Sequence, residues 1–174
     1  MVDHAGGVLD GDDILYVITR SRLARRKLQG PVVGTVMSNL GLELAMKELE
    51  VPFMRAKVGD RHVLEEMHKA GGILGGETSG HILCLDRTTT GDGIVAALQV
   101  LTMVVDSGMS LHELRSGLTK CPQVLVNVRV SERFDPMDRD SVVKAVADVE
   151  EKMMRIFMAQ NNFGIQIKLV ATRL

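Results

Sequence analysis

Apolar positions along the chain switch repeatedly between strand-like runs and helical spacing. Val32 to Met37 follows the Gly30-Pro31 break and reads as a buried strand. Leu42, Ala45, Met46 and Leu49 then recur at i, i+3, i+4 and i+7, behind Ser38 and Asn39, either of which can cap a helix. Val51 to Val58 reads as the next strand. Asp60 can cap a helix that turns Val63, Leu64 and Met67 inward until Gly71-Gly72 stops it. Ile73-Leu74 and Ile82 to Leu85 predict two short buried strands around a polar loop. Ile94, Ala97, Leu98, Leu101, Val104 and Val105 mark the inner face of a longer helix, with Thr90 as its cap, Asp92 in its first turn and Gly108 at its end. Ser110-Leu111-His112-Glu113 is a capping-box signature for another helix. This alternation predicts an α/β layered domain with a central sheet.

Pro122 interrupts the pattern, after which Val124, Val126, Val128 and Val130 alternate with Leu125, Asn127 and Arg129 as a one-sided strand. Residues 131–138 are polar and contain Pro136, as a linker would. Asp140 or Ser141 begins a helix with Val142, Val143, Val146 and Val149 on one side. The expected division is a domain over 1–130 and a partial α+β segment over 131–174.

Composition narrows the function classes. The 174 residues are 45% hydrophobic, enough for one domain and part of another. Lys and Arg total 21 against 22 for Asp and Glu, so overall charge favours neither nucleic acid nor an anionic membrane as a partner. Arg22, Arg25, Arg26 and Lys27 form a basic cluster that reads as a solvated helix end, where cations complement the dipole. Cys84 and Cys121 lack paired spacing and read as free thiols, which fits a reducing cytoplasm. His4, His62, His68, His81 and His112 show no ligand spacing with one another or with cysteine, which argues against zinc. No stretch approaches the ~18 uncharged residues of a membrane span.

The candidate chemistry lies in loops. Gly75 to His81 reads Gly-Gly-Glu-Thr-Ser-Gly-His, placing a carboxylate, hydroxyls and an imidazole between glycines that let backbone approach a ligand. Glu77 can accept hydrogen bonds from vicinal sugar hydroxyls, and Ser79 can donate and accept. In Gly59-Asp60-Arg61, a guanidinium follows a glycine at a strand-to-helix turn and can meet a phosphate with two parallel bonds. Asp10-Gly11-Asp12-Asp13 has the hard oxygen donors that magnesium prefers, but it stands just ahead of the apolar Ile14 to Ile18 run. Its aspartates therefore read as helix-start residues, with Asp12 considered as the cap. Thr88 to Gly93 could hold an anion on its amides, yet capping accounts for its residues without a ligand.

Taken in order, Val2-Asp3-His4 with Asp10-Gly11-Asp12, Gly34 to Asn39 with Gly41-Leu42-Glu43, Lys57 to Arg61, Gly75 to His81 and Thr88 to Ile94 resemble the third domain of the α-D-phosphohexomutase superfamily. The Lys57 to Arg61 and Thr88 to Ile94 strings are similar to its phosphoglucosamine mutase branch, and the resemblance runs to about Val130. It implies a mixed sheet flanked by helices. It also implies that Glu77 and Ser79 grip hydroxyls of a phosphosugar substrate, that His81 braces the loop or touches the ligand, and that Gly59, Asp60 and Arg61 help to place the phosphosugar, with Arg61 near its phosphate. The family's catalytic phosphoserine, its Asp-Gly-Asp-Gly-Asp-Arg magnesium loop and its Arg-x-Ser-Gly-Thr-Glu-Pro phosphate loop do not occur in these residues. No catalytic residue and no metal ligand is thus expected in this chain. Mg2+ is implied for the full-length enzyme, whose other domains would be this one's partners, and the location is expected to be cytoplasmic. His62 stands where the family usually has tyrosine, and the pattern is lost after about Met154. The alternatives are a non-catalytic sugar-phosphate binding or interaction module, or a fragment of a phosphomannomutase or phosphoglucomutase.

Overall fold

The computed structural model describes residues 1–124, 126 and 134–160, with the side chains of the last helix followed to residue 152. The chain forms two compact units, Met1–Lys120 and Cys121–Leu174.

In the first unit the elements run α1 (Gly11–Ala24), β1 (Val32–Thr35), α2 (Leu40–Glu48), β2 (Phe53–Ala56), α3 (Asp60–Ala70), β3 (Leu74–Gly76), β4 (Ile82–Cys84), α4 (Gly93–Ser107) and α5 (Leu111–Arg115). The sheet order is β2-β1-β3-β4. β1 pairs in parallel with β2 and β3, and β4 pairs antiparallel to β3 through a tight reversal. The sheet is therefore mixed, as the resemblance implies. A short N-terminal hairpin, closed by an antiparallel bridge between Val2 and Val8, precedes it.

β1, β3 and β4 are buried on both sides because both faces are covered, whereas the edge strand β2 is only partly buried. Val32, Leu74, Ile82 and Cys84 join Leu15, Ile18, Leu42, Met46, Val100 and Leu114 in one cluster, which draws on α1, α2, α4 and α5. Their strand neighbours Val33 and Leu83 point the other way, with Ala56, onto Val63 and Met67 of α3. Helix α1 is the central helix: Ile14 to Ile18 are all buried. Each such side chain contributes about 1.5–3 kcal/mol by leaving water.

The structure corrects several local expectations. Helix α4 turns Ala96 and Val100 inward, while Ile94, Leu98, Leu101 and Val105 are exposed. Its cap is Asp92, whose side chain accepts from the amides of Ile94 and Val95, and not Thr90. Helix α3 has Gly59 as its N-cap, at φ 119°, with no side-chain capping bond; Asp60 is its first helical residue. Only glycine tolerates that φ readily, so the cap position is fixed by backbone conformation and not by a carboxylate. Arg22 is also not part of a solvated end. It is 5% exposed and pairs with Asp86 at 2.7 Å, whereas Arg25 pairs with Asp106.

In the second unit Pro136–Asp138 forms a turn of 3-10 helix and α6 spans Asp140–Gln160. Val142 and Val146 are half-buried, and Val143 and Val149 are exposed. The strand expected over 124–130 falls mainly outside the described residues, as does the tail beyond 160. Among the described residues no helix is long and apolar enough to cross a membrane.

Candidate sugar-binding site

Ligands of open α/β sheets bind beyond the carboxyl ends of the parallel strands. Both candidate loops leave that edge: Lys57 to Gly59 follows β2, and Glu77 to His81 follows β3. They meet directly, since the Gly59 amide donates to Glu77 Oε1 at 2.8 Å. A second contact reinforces the first, with His81 Nε2 lying 3.5 Å from Asp60 Oδ2. Glu77, Gly59, Asp60 and His81 thus form one constellation from segments well separated in sequence.

The loop is shaped by its own backbone. Gly80 adopts φ 98° and donates to the Glu77 carbonyl, and the Glu77 amide donates to the His81 carbonyl. This closes the hairpin between β3 and β4. The His81 ring packs over Gly91, where an added Cβ would come within 2.2 Å of Nε2, so the Thr88 to Gly93 loop acts as a rest for the imidazole. Ser79 is exposed and makes no hydrogen bond among the described residues, which leaves its hydroxyl free to donate and accept. Arg61 is also exposed; its guanidinium pairs with Glu65 one turn on at 3.1 Å. An exposed pair of this kind is weak and can be exchanged for a phosphate at small cost.

The acidic run at the start of α1 is fully committed. Asp10 is the N-cap: its side chain accepts from the amides of Asp12 and Asp13, and Asp13 returns a bond to the Asp10 amide. Lys120 Nζ lies 2.6 Å from both Asp10 and Asp13. Asp12, the residue considered as cap, instead points inward at 0% exposure. It accepts from the Asn39 amide at 2.8 Å and from the Thr78 hydroxyl, 3.2 Å from each carboxylate oxygen. Burial pushes the Asp12 carboxyl above its ordinary value, against the pull of the Asn39 amide. At Asp10 burial also favours the acid, but Lys120 and the Asp13 amide outweigh it and hold the carboxyl below its ordinary value. Carboxylates already occupied by a lysine and by backbone donors do not suit magnesium. Among the described residues no group of three metal-ligating side chains exists.

The Thr78–Asp12 contact under the loop is not legible in the sequence. Thr78 occupies the variable position of Gly-Glu-x-Ser-Gly-His, and Asp12 resembled one more helix-start acid. One signal was available: Asp12 begins the flank of an uninterrupted apolar run, where a carboxylate needs an internal partner.

The fold is a mixed α/β sheet with two polar loops that meet at the carboxyl edge of its parallel strands. Residues 10–121 match the family described as phosphoglucomutase/phosphomannomutase, alpha/beta/alpha domain III, and the chain belongs to that family. In particular it is similar to the phosphoglucosamine mutase of Aeromonas salmonicida (strain A449), at 59% identity over 153 residues; that match covers 88% of this chain and 34% of the relative. The chain spans about a third of the length of the curated relatives it matches. Among solved structures it resembles the Aspergillus fumigatus N-acetylphosphoglucosamine mutase in complex with GlcNAc-6P and magnesium, with a TM-score of 0.61 and 24% identity over 76% of this chain and 35% of that one. It also resembles the apo-form of an N-acetylglucosamine-phosphate mutase of the alpha-D-phosphohexomutase superfamily, with a TM-score of 0.62 and 19% identity over 84% of this chain and 37% of that one. These two likenesses establish the fold.

Proposed function

We propose that this chain is the sugar-recognition domain of a phosphoglucosamine mutase, which interconverts glucosamine 6-phosphate and glucosamine 1-phosphate in the cytoplasm. The observation that carries the reading is the Glu77–Gly59 bond, which joins the two candidate ligand loops at the carboxyl edge of the parallel strands. It is supported by the 59% identity to a phosphoglucosamine mutase. In this reading the second oxygen of Glu77 and the free Ser79 hydroxyl hold sugar hydroxyls, His81 braces the loop against Gly91 and Asp60, and Arg61 turns from Glu65 to phosphate. These groups bind and orient; they do not attack. Phosphoryl transfer rests on positioning and on neutralising charge, with the phosphoserine and Mg2+ supplied by other domains of the full-length enzyme. The aspartates of α1 take no part as metal ligands.

A titration of the 174-residue chain with glucosamine 6-phosphate, followed by amide NMR, tests this. Shifts are expected to cluster at 75–81 and 59–61, with a Kd on the order of millimolar because few contacts converge without the remaining domains. Ser79→Ala should weaken binding while leaving the ligand-free spectrum intact. Glu77→Ala is less clean, since it also releases Gly59 and should move both loops without ligand. No conversion to glucosamine 1-phosphate is expected from the chain alone. Shifts confined to other surfaces, or turnover above a blank, would overturn the reading.

A further inference from the structure

The sugar loop does more than close a hairpin; its underside is fastened to the start of α1. Thr78 lends its carbonyl to the Gly11 amide at 2.9 Å and its hydroxyl to Asp12. A Cβ on Gly11 would stand 1.9 Å from the Glu77 carbonyl, so the loop rests directly on helix backbone. Asp12 also holds the Asn39 amide, and Asn39 in turn caps α2 through the Gly41 amide at 2.9 Å. The loop after β1 is braced from its other side by Arg55, which donates to the carbonyls of Thr35 and Ser38.

We propose that Asp12 and Thr78 are positioning residues of the sugar site: the buried Asp12 carboxylate, held by the α2 cap, grips the Thr78 hydroxyl and thereby sets where its neighbours Glu77 and Ser79 stand. Neither residue touches the ligand. A buried acceptor of this kind has no water to fall back on, so the geometry it selects is well defined. The strand-borne loop is thus registered against a helix that precedes every strand, 66 residues earlier in the chain. The inference rests on the proposed site only for its consequence on ligand binding; the registration itself can be read without ligand.

Two substitutions at Thr78 separate positioning from packing. Thr78→Val keeps the shape and removes the hydroxyl, whereas Thr78→Ser keeps the hydroxyl and removes a methyl group. In the ligand-free chain, Thr78→Val is expected to speed amide exchange at 77–81 by about 3–10-fold, the loss of one partly buried hydrogen bond, and Thr78→Ser to leave it near the original rate. With glucosamine 6-phosphate as probe, Thr78→Val should weaken binding several-fold and Thr78→Ser should restore it. If Thr78→Val leaves exchange unchanged, or Thr78→Ser loosens the loop more than Thr78→Val does, the inference is overturned. If the Thr78→Val loop loosens but the unmutated chain shows no sugar shifts at 75–81, the registration stands and the functional reading fails.

Discussion

Asp10 and Asp12 are two residues apart and titrate in opposite directions, because one meets a lysine and the other meets the core. Burial raises Asp12, so between 3.8 and the Asp12 midpoint the folded state holds a proton that the unfolded chain has released. Stability therefore falls as pH rises from the ordinary value of 3.8 to the Asp12 midpoint. Asp10 is lowered despite burial, so its contribution is present above 3.8 and lost as pH falls toward its own midpoint. Carboxyl carbon NMR should give an Asp12 midpoint above 3.8 and an Asp10 midpoint below it. An Asp12 midpoint at or below that value would mean that the Asn39 and Thr78 donors outweigh burial.

At the scale of elements, α4 shows what periodicity can and cannot say. Its apolar residues are numerous enough that more than one face qualifies as inner, and the face that spacing favours is largely exposed in the fold. Packing decides it: Ala96 and Val100 face the cluster built on α1, whereas Leu98 is 54% exposed. Val100→Ala is expected to cost about 2–3 kcal/mol, the lost transfer energy plus a cavity. Leu98→Ala should cost under about 1 kcal/mol, since most of its surface is already wet. Urea unfolding of both variants checks the assignment, and the reverse order would restore the sequence-based face. By contrast α3 carries fewer apolar residues, with Val63 and Met67 buried as their spacing predicts; in α2 Leu42 and Met46 are likewise buried, although Leu44 is exposed.

Over the first unit as a whole, Lys120 fastens the last residue to the first helix by pairing with Asp10 and Asp13. Burial works against its charge, but the two carboxylates prevail and hold the amine above its ordinary 10.5. The contribution is therefore full below 10.5 and lost as pH rises through the raised midpoint. Lys120→Ala should destabilise the chain by about 1–3 kcal/mol at neutral pH, since it leaves the Asp13 carboxylate, which is 4% exposed, with the Asp10 amide but without its cation. The gap to the unmutated chain should narrow at strongly alkaline pH. A constant gap would assign the loss to packing of the lysine stem.

What the sequence determined alone is local. The order of strands and helices, the glycine stops at Gly71 and Gly108, the Ser110 capping box and the loop between β3 and β4 follow from spacing and backbone preference, which act within a few residues. Tertiary structure decided what depends on partners distant in the chain. That Glu77 reaches Gly59, that Asp12 turns inward to Thr78 and Asn39 and so leaves the cap to Asp10, and that α4 shows Leu98 to water are set only when the elements pack. A carboxylate at a helix start can cap, bind or be buried with equal local ease, and the cost of burying it unpaired selects the one arrangement in which donors from other segments meet it.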